Sequence, residues 1–145
     1  IPQVLYGDEY AMTSANKEDV NNHSYLRAPL PLGDEVTEEM QNMYDFQSRL
    51  FNWRKDEPVL HYGKTMHFPA RNHTYAYFRY NGKEAVFVFA NASEEPRVIP
   101  TATYSEILGR YNAVGFNPLT GEQIDLNRED IEVKGLSTMI VKLTK

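Results

Sequence analysis

His73-Thr74-Tyr75-Ala76-Tyr77-Phe78-Arg79-Tyr80-Asn81-Gly82-Lys83-Glu84-Ala85-Val86-Phe87-Val88-Phe89-Ala90 is the stretch that decides the fold class. Two runs rich in aromatic and β-branched residues flank a short polar break, and each run has the period of two that a strand requires. Asn81-Gly82 between them predicts a hairpin with a type I′ turn, because both central residues of that turn need positive φ. Further strands are expected over residues 66–68, 97–99, 111–116, 123–126, 131–133 and 138–143. Asn117-Pro118-Leu119-Thr120-Gly121 reads as a turn between two of them, and residues 105–108 as a short helical turn. Seven or eight short strands punctuated by turns imply an antiparallel β-sandwich of about 85 residues, 58–145. The sequence shows no internal repeat.

Upstream the period changes. Met40, Met43, Phe46, Leu50 and Trp53 recur at spacings of three and four, which predicts a helix over 37–55 with a core-facing apolar stripe. Thr37 is placed to cap it. Glu38 and Glu39 in the first turn and Arg54 and Lys55 in the last complement the helix dipole, and Pro58 reads as the stop. Residues 7–36 hold no sustained period and form a long loop, a length that usually carries function. Residues 2–6 read as a short buried strand. A single strand cannot satisfy its own backbone groups, so it either adds to a later sheet or belongs with neighbours outside these residues.

The chain has 145 residues, 41% hydrophobic and 24% charged, so a packed core is affordable and disorder is not expected. A net charge of −5 argues against nucleic acid as partner, since phosphate binding needs a basic surface. Cysteine is absent, so no disulfide or thiolate site forms, and that leaves the compartment open. No run approaches the roughly 20 apolar residues of a membrane helix.

Residues able to do chemistry are scattered. Asp8-Glu9, Asp34-Glu35, Glu38-Glu39, Asp56-Glu57, Glu94-Glu95 and Glu129-Asp130 are acidic pairs, and two carboxylates facing one cleft can serve as acid and base or nucleophile. Most lie at turns or helix ends, where solvated charge is the ordinary state. Asp8-Glu9 follows an apolar run, and there a buried structural carboxylate held by backbone amides or by an arginine is preferred to a catalytic one. His61, His67 and His73 match no metal-ligand spacing. Asn22-His23-Ser24, Asn72-His73-Thr74 and Asn91-Ala92-Ser93 fit the glycosylation pattern. Arg27, in the long loop, is a candidate substrate contact, with ordering of the loop an equal alternative. The tyrosines Tyr62, Tyr75, Tyr77 and Tyr80 would form a sugar platform if they aligned on one solvent-facing side.

Pro2, Gly7 and Glu9 form a proline, four residues, glycine, one residue, glutamate pattern. It resembles the eighth-strand motif of the α-amylase superfamily, glycoside hydrolase family 13, whose earlier glycine would precede residue 1. The stretch Asn22-His23-Ser24-Tyr25-Leu26-Arg27 resembles that family's arginine-bearing loop. Phe51-Asn52-Trp53-Arg54-Lys55 followed by Pro58-Val59-Leu60-His61-Tyr62-Gly63-Lys64 resembles its closing segment. Tyr75–Tyr80, Val86–Asn91, Thr120-Gly121-Glu122 and Ser137–Val141 resemble its C-terminal domain. The resemblance runs along the whole chain in order and is closest to bacterial neopullulanases and cyclomaltodextrinases.

The resemblance implies a mostly β chain in two parts. Residues 1–57 would be the last strand, loop and helix of a catalytic (β/α)₈ barrel, and 58–145 the C-terminal antiparallel sandwich. A whole barrel needs roughly 250 residues, so the three catalytic carboxylates would precede residue 1. The chain alone would then be inactive, with no catalytic and no metal-binding residue of its own. The parent would be a retaining hydrolase cleaving α-1,4 links in starch-derived oligosaccharides, cyclodextrins or pullulan. Arg27 would contact substrate, and Pro2, Gly7 and Glu9 would be structural. No cofactor is implied here; calcium, where used, would sit upstream. The implied partners are an α-glucan, bound through the barrel, and the rest of the catalytic domain, with room for an oligomer. The implied location is the bacterial periplasm or cell envelope. The alternative is a stand-alone carbohydrate-binding module for α-glucans.

Overall fold

Alternating sequence becomes paired backbone along the second half of the chain. A computed structural model describes residues 3–13 and 29–145 and divides the chain into two units, Ile1–Asn52 and Trp53–Lys145. In the second unit, β1 (Lys64–His67), β2 (Thr74–Tyr80), β3 (Glu84–Asn91), β5 (Val114–Phe116), β6 (Gln123–Asp125) and β8 (Ser137–Thr144) form one sheet in the order β1-β2-β3-β8-β5-β6. The strands β4 (Arg97–Val98) and β7 (Glu132–Val133) form a second, small one. Every pairing is antiparallel. The chain is thus mostly antiparallel β with few helices, and each predicted strand of the sandwich appears within a few residues of its expected bounds.

Register explains the core. Phe78 lies opposite Phe87 and Phe87 opposite Val141, so one face of β2, β3 and β8 carries a row of apolar side chains. The rings of Phe78 and Phe87 stack at 4.5 Å, and Tyr104 packs 5.3 Å from Phe87. Tyr104 is delivered by a 3-10 turn, Thr101–Tyr104, that runs into α3 (Ser105–Leu108). With Ile99, Ile107, Leu108, Leu126 and Val133 these elements cover the inner face.

The turn chemistry differs from the expectation. Neither Asn81 nor Gly82 has positive φ. Asn81 instead accepts the N–H groups of Lys83 and Glu84 on its side-chain oxygen, so an Asx turn closes the hairpin. The pair with positive φ is Asn72-His73, at 50° and 61°, bracketed by reciprocal backbone bonds between Arg71 and Thr74. That is the type I′ pattern, placed nine residues earlier.

One buried side chain ties the loops of the sandwich together. Asn91 is 2% exposed. Its amide donates to the carbonyls of Glu95, Val133 and Lys134, and its oxygen accepts from the backbone N–H and hydroxyl of Ser93. Its amide N–H groups are engaged and the side chain is enclosed, so this fold leaves no room for a glycan there and the Asn91-Ala92-Ser93 pattern is structural. Gly135 approaches the same loop so closely that a Cβ would lie 1.9 Å from the Glu94 carbonyl oxygen. Gly135→Ala should therefore lower stability by about 1–3 kcal/mol through forced backbone shifts, read as a drop in denaturation midpoint; an unchanged midpoint would contradict this packing.

The first unit is built differently. The helix α1 (Glu38–Lys55) forms as expected, with Thr37 Oγ1 accepting the Met40 N–H as a cap. None of its residues is fully buried: Met40, Met43, Leu50 and Trp53 are half-buried and Phe46 is 41% exposed, so the apolar stripe is only partly covered among the described residues. The strand expected over 2–6 is absent from its described part: Val4, Leu5 and Tyr6 are exposed and pair with no described strand. An isolated extended segment has no ladder to join, so local turns take over. Nor does Pro58 end all helical structure. It occupies the first turn of α2 (Pro58–Tyr62), where a missing N–H is harmless.

Candidate functional site

Two of the four residues singled out in sequence, Pro2 and Arg27, lie outside the described residues. Gly7 and Glu9 are described and meet in a turn. Gly7 has φ +94° and is buried, and a Cβ there would approach Met12 Sδ to 2.9 Å. Its N–H donates to Glu9 Oε2 at 2.9 Å, while Leu5 N–H donates to Asp8 Oδ2. Asp8–Tyr10 forms a 3-10 turn. Gln47 of α1 donates to the Asp8 carbonyl, and Tyr10 stacks on Tyr44 at 5.6 Å. Both carboxylates thus accept backbone amides of their own turn.

The other acidic pairs separate into distinct settings. Glu35 accepts the Leu32 N–H in a 3-10 turn. Asp130 pairs with Arg128 at the surface, and that guanidinium holds the carboxyl below the usual range. Glu57 is 8% exposed and stands apart. Its carboxylate accepts Lys142 Nζ on both oxygens, at 2.7 and 2.6 Å, and Trp53 Nε1 at 2.8 Å. Glu84 lies 3.4 Å from the same ammonium. Sequence reasoning missed this cluster, because Glu57 and Lys142 are 85 residues apart. A partial signal existed: Lys142 interrupts an otherwise apolar run in the last strand.

Burial alone would depress the Lys142 ammonium, but its contacts with Glu57 and Glu84 outweigh burial and raise its pKa. A lysine whose folded pKa is raised contributes stability in full below the unfolded value of about 10.4 and loses it as pH climbs through the folded value. Buried Tyr104, also pushed up by desolvation, acts in the same direction. Melting temperature should hold on the alkaline side up to about pH 10 and fall beyond it. Lys142→Met should flatten part of that fall; an identical profile in the variant would dissociate the cluster from it.

The histidines do not assemble. His61 contacts the Arg54 carbonyl, His67 sits on edge strand β1 beside Tyr75, and His73 occupies the type I′ turn. Among the described residues no group of three or more potential ligands gathers for a metal. The tyrosines divide as well. Tyr75 and Tyr77 are neighbours on the outer face of β2, with ring centroids 5.8 Å apart. Tyr80 packs against the inner core, and Tyr62 projects from α2 at 89% exposure. They form no single platform. The outer face continues through Val88 and Ile140 to the Lys142 cluster, an apolar strip bounded by buried charge. No helix among the described residues is long and apolar enough to cross a membrane.

Comparison with known proteins places this architecture. Residues 65–142 match the family described as "Cyclo-malto-dextrinase C-terminal domain". The fold resembles part of AmyP, solved with maltotriose: TM-score 0.73 at 13% identity, over 97% of this chain and 31% of that one. It resembles part of the cyclic α-maltosyl-(1→6)-maltose hydrolase from Arthrobacter globiformis, with TM-score 0.63 and 18% identity over 96% of this chain and 26% of that one. A third likeness is to CldA, a cyclomaltodextrin glucanotransferase, with TM-score 0.61 and 20% identity over 98% of this chain and 29% of that one. The chain therefore spans about a third or less of these solved chains.

Proposed function

The chain belongs to the cyclomaltodextrinase C-terminal domain family, and from that premise we propose that it is the C-terminal part of an α-glucan hydrolase of the α-amylase superfamily. The observation that carries this reading is the family match over the sandwich, joined to a fold likeness that extends upstream through nearly the whole chain. The reading extends to a neopullulanase or cyclomaltodextrinase type of parent that cleaves α-1,4 links in starch-derived oligosaccharides, cyclodextrins or pullulan. The reacting carboxylates then lie upstream of residue 1, as does any calcium, and the parent works in the bacterial periplasm or envelope.

Within that reading residues 1–57 complete the catalytic barrel and 58–145 stabilise it. Glu9 is a structural carboxylate, in keeping with its bond to the Gly7 N–H, and Arg27 borders the substrate. In the parent enzyme, Arg27→Ala should raise KM for maltoheptaose with little change in thermal stability. Glu9→Gln should lower stability first. Wild-type values for both variants would remove these two assignments.

A sugar-binding role for the sandwich is the second reading, and Tyr75 beside Tyr77 is the feature that favours it, with Tyr75 41% exposed. The structural role is preferred, because Tyr80 faces inward and Tyr62 stands apart.

A further inference from the structure

Arg71 and Arg97 both line one cleft of the second unit, and no acidic residue lines it with them. The cleft has a volume of about 540 Å³ and opens between the Asn72-His73 turn and the segment joining β4 to Tyr104. That volume lies within the range of small-molecule sites. Apolar groups of Phe68, Pro69, Val98, Pro100 and Tyr104 form most of its wall, with Asn72, Thr74 and Thr103 beside them. Neither guanidinium forms an ion pair among the described residues, although the chain carries a net charge of −5. Arg97 Nε is buried without a hydrogen-bond partner, an arrangement that leaves the arginine under-satisfied.

Both arginines rise from fixed backbone. Arg71 exchanges two backbone bonds with Thr74 and accepts the Thr74 hydroxyl on its carbonyl. Arg97 is paired with Val133 across the small sheet. A guanidinium presents a planar fork of donors that matches a carboxylate. Two such forks beside a mainly apolar wall favour an anion that carries an apolar body, which the wall can cover while the forks hold the charge.

We propose that the Arg71–Arg97 cleft is a binding site for a small organic carboxylate with an apolar body. The site is independent of the glucan reading, because it uses no residue assigned to that activity.

The test is titration of the chain with benzoate, followed by calorimetry and by NMR shifts of Arg71 and Arg97 side-chain N–H groups. Benzamide, which has the same shape without the charge, and inorganic phosphate, which has charge without the ring, serve as paired probes. Benzoate should bind saturably and shift both arginines, with benzamide and phosphate at least tenfold weaker. Arg97→Gln and Arg71→Gln should each weaken benzoate at least tenfold. Arg71 is exposed, so its variant keeps the fold and the test stands even if Arg97→Gln unfolds. No benzoate binding, equal binding of benzamide or phosphate, or undiminished binding by Arg71→Gln would overturn the proposal.

Discussion

Phe87→Ala should lower the unfolding free energy of the sandwich by about 3–5 kcal/mol, the usual range for deleting a fully buried aromatic ring. Phe87 is 0% exposed and occupies the middle of the register row that runs from Phe78 to Val141. Its loss removes the 4.5 Å stack with Phe78 and the contact with Tyr104, and the surrounding strands are pinned by hydrogen bonds on both sides, so the cavity cannot collapse freely. The matched control is Tyr62→Ala. That ring is 89% exposed, and its removal should change stability by no more than about 0.5 kcal/mol. Urea unfolding followed by tyrosine and tryptophan fluorescence reads both. Similar losses in the two variants would mean that the register row is not the core.

Lys142→Met should produce a loss of comparable size, about 3–5 kcal/mol, for an electrostatic reason. The Lys142 and Glu57 side chains are 17% and 11% exposed. Removing the ammonium leaves Glu57 charged beside Glu84 with only the Trp53 N–H in support. The long methionine stem preserves most of the packing, so the effect reports charge. Adding Glu57→Gln should restore a substantial part of the loss, because the double variant no longer buries an unpaired carboxylate. A double-mutant cycle measures the coupling directly. Additive losses, with no recovery in the double variant, would show that the two residues act separately.

The legible parts of the fold are those governed by local rules. The period-two runs around Phe78 and Phe87 located β2 and β3, and the stripe from Met40 to Trp53 located α1, because side-chain periodicity is a direct consequence of backbone geometry. The type I′ turn was misplaced because Asn-Gly satisfies two turn types. At Asn81 the side chain itself supplies the acceptors, and positive φ is used instead by Asn72 and His73. The helix α2 was overlooked because Pro58 both stops one helix and suits the first turn of the next.

Long-range partnerships were not legible. The Glu57–Lys142 pair depends on bringing β8 beside β3 and folding α2 over the outer face, which no local pattern encodes. Asn91 has the same character: its partners at Glu95 are near in sequence, but those at Val133 and Lys134 are set by tertiary closure. The segment before Gly7 reads as a strand in its apolar pattern, yet Val4 and Leu5 stay exposed. Pattern states a preference, and a strand still requires a neighbour.

The most direct test of the proposal that this chain supports glucan hydrolysis without performing it is a calorimetric titration with maltoheptaose in which reducing-sugar release is followed in the same sample. The account predicts no release of reducing ends and no binding heat from the chain alone. Reducing ends released by the purified chain would contradict it by placing the reacting acids within residues 1–145. Saturable heat without hydrolysis would contradict the purely structural role of the sandwich and make it a sugar-binding module.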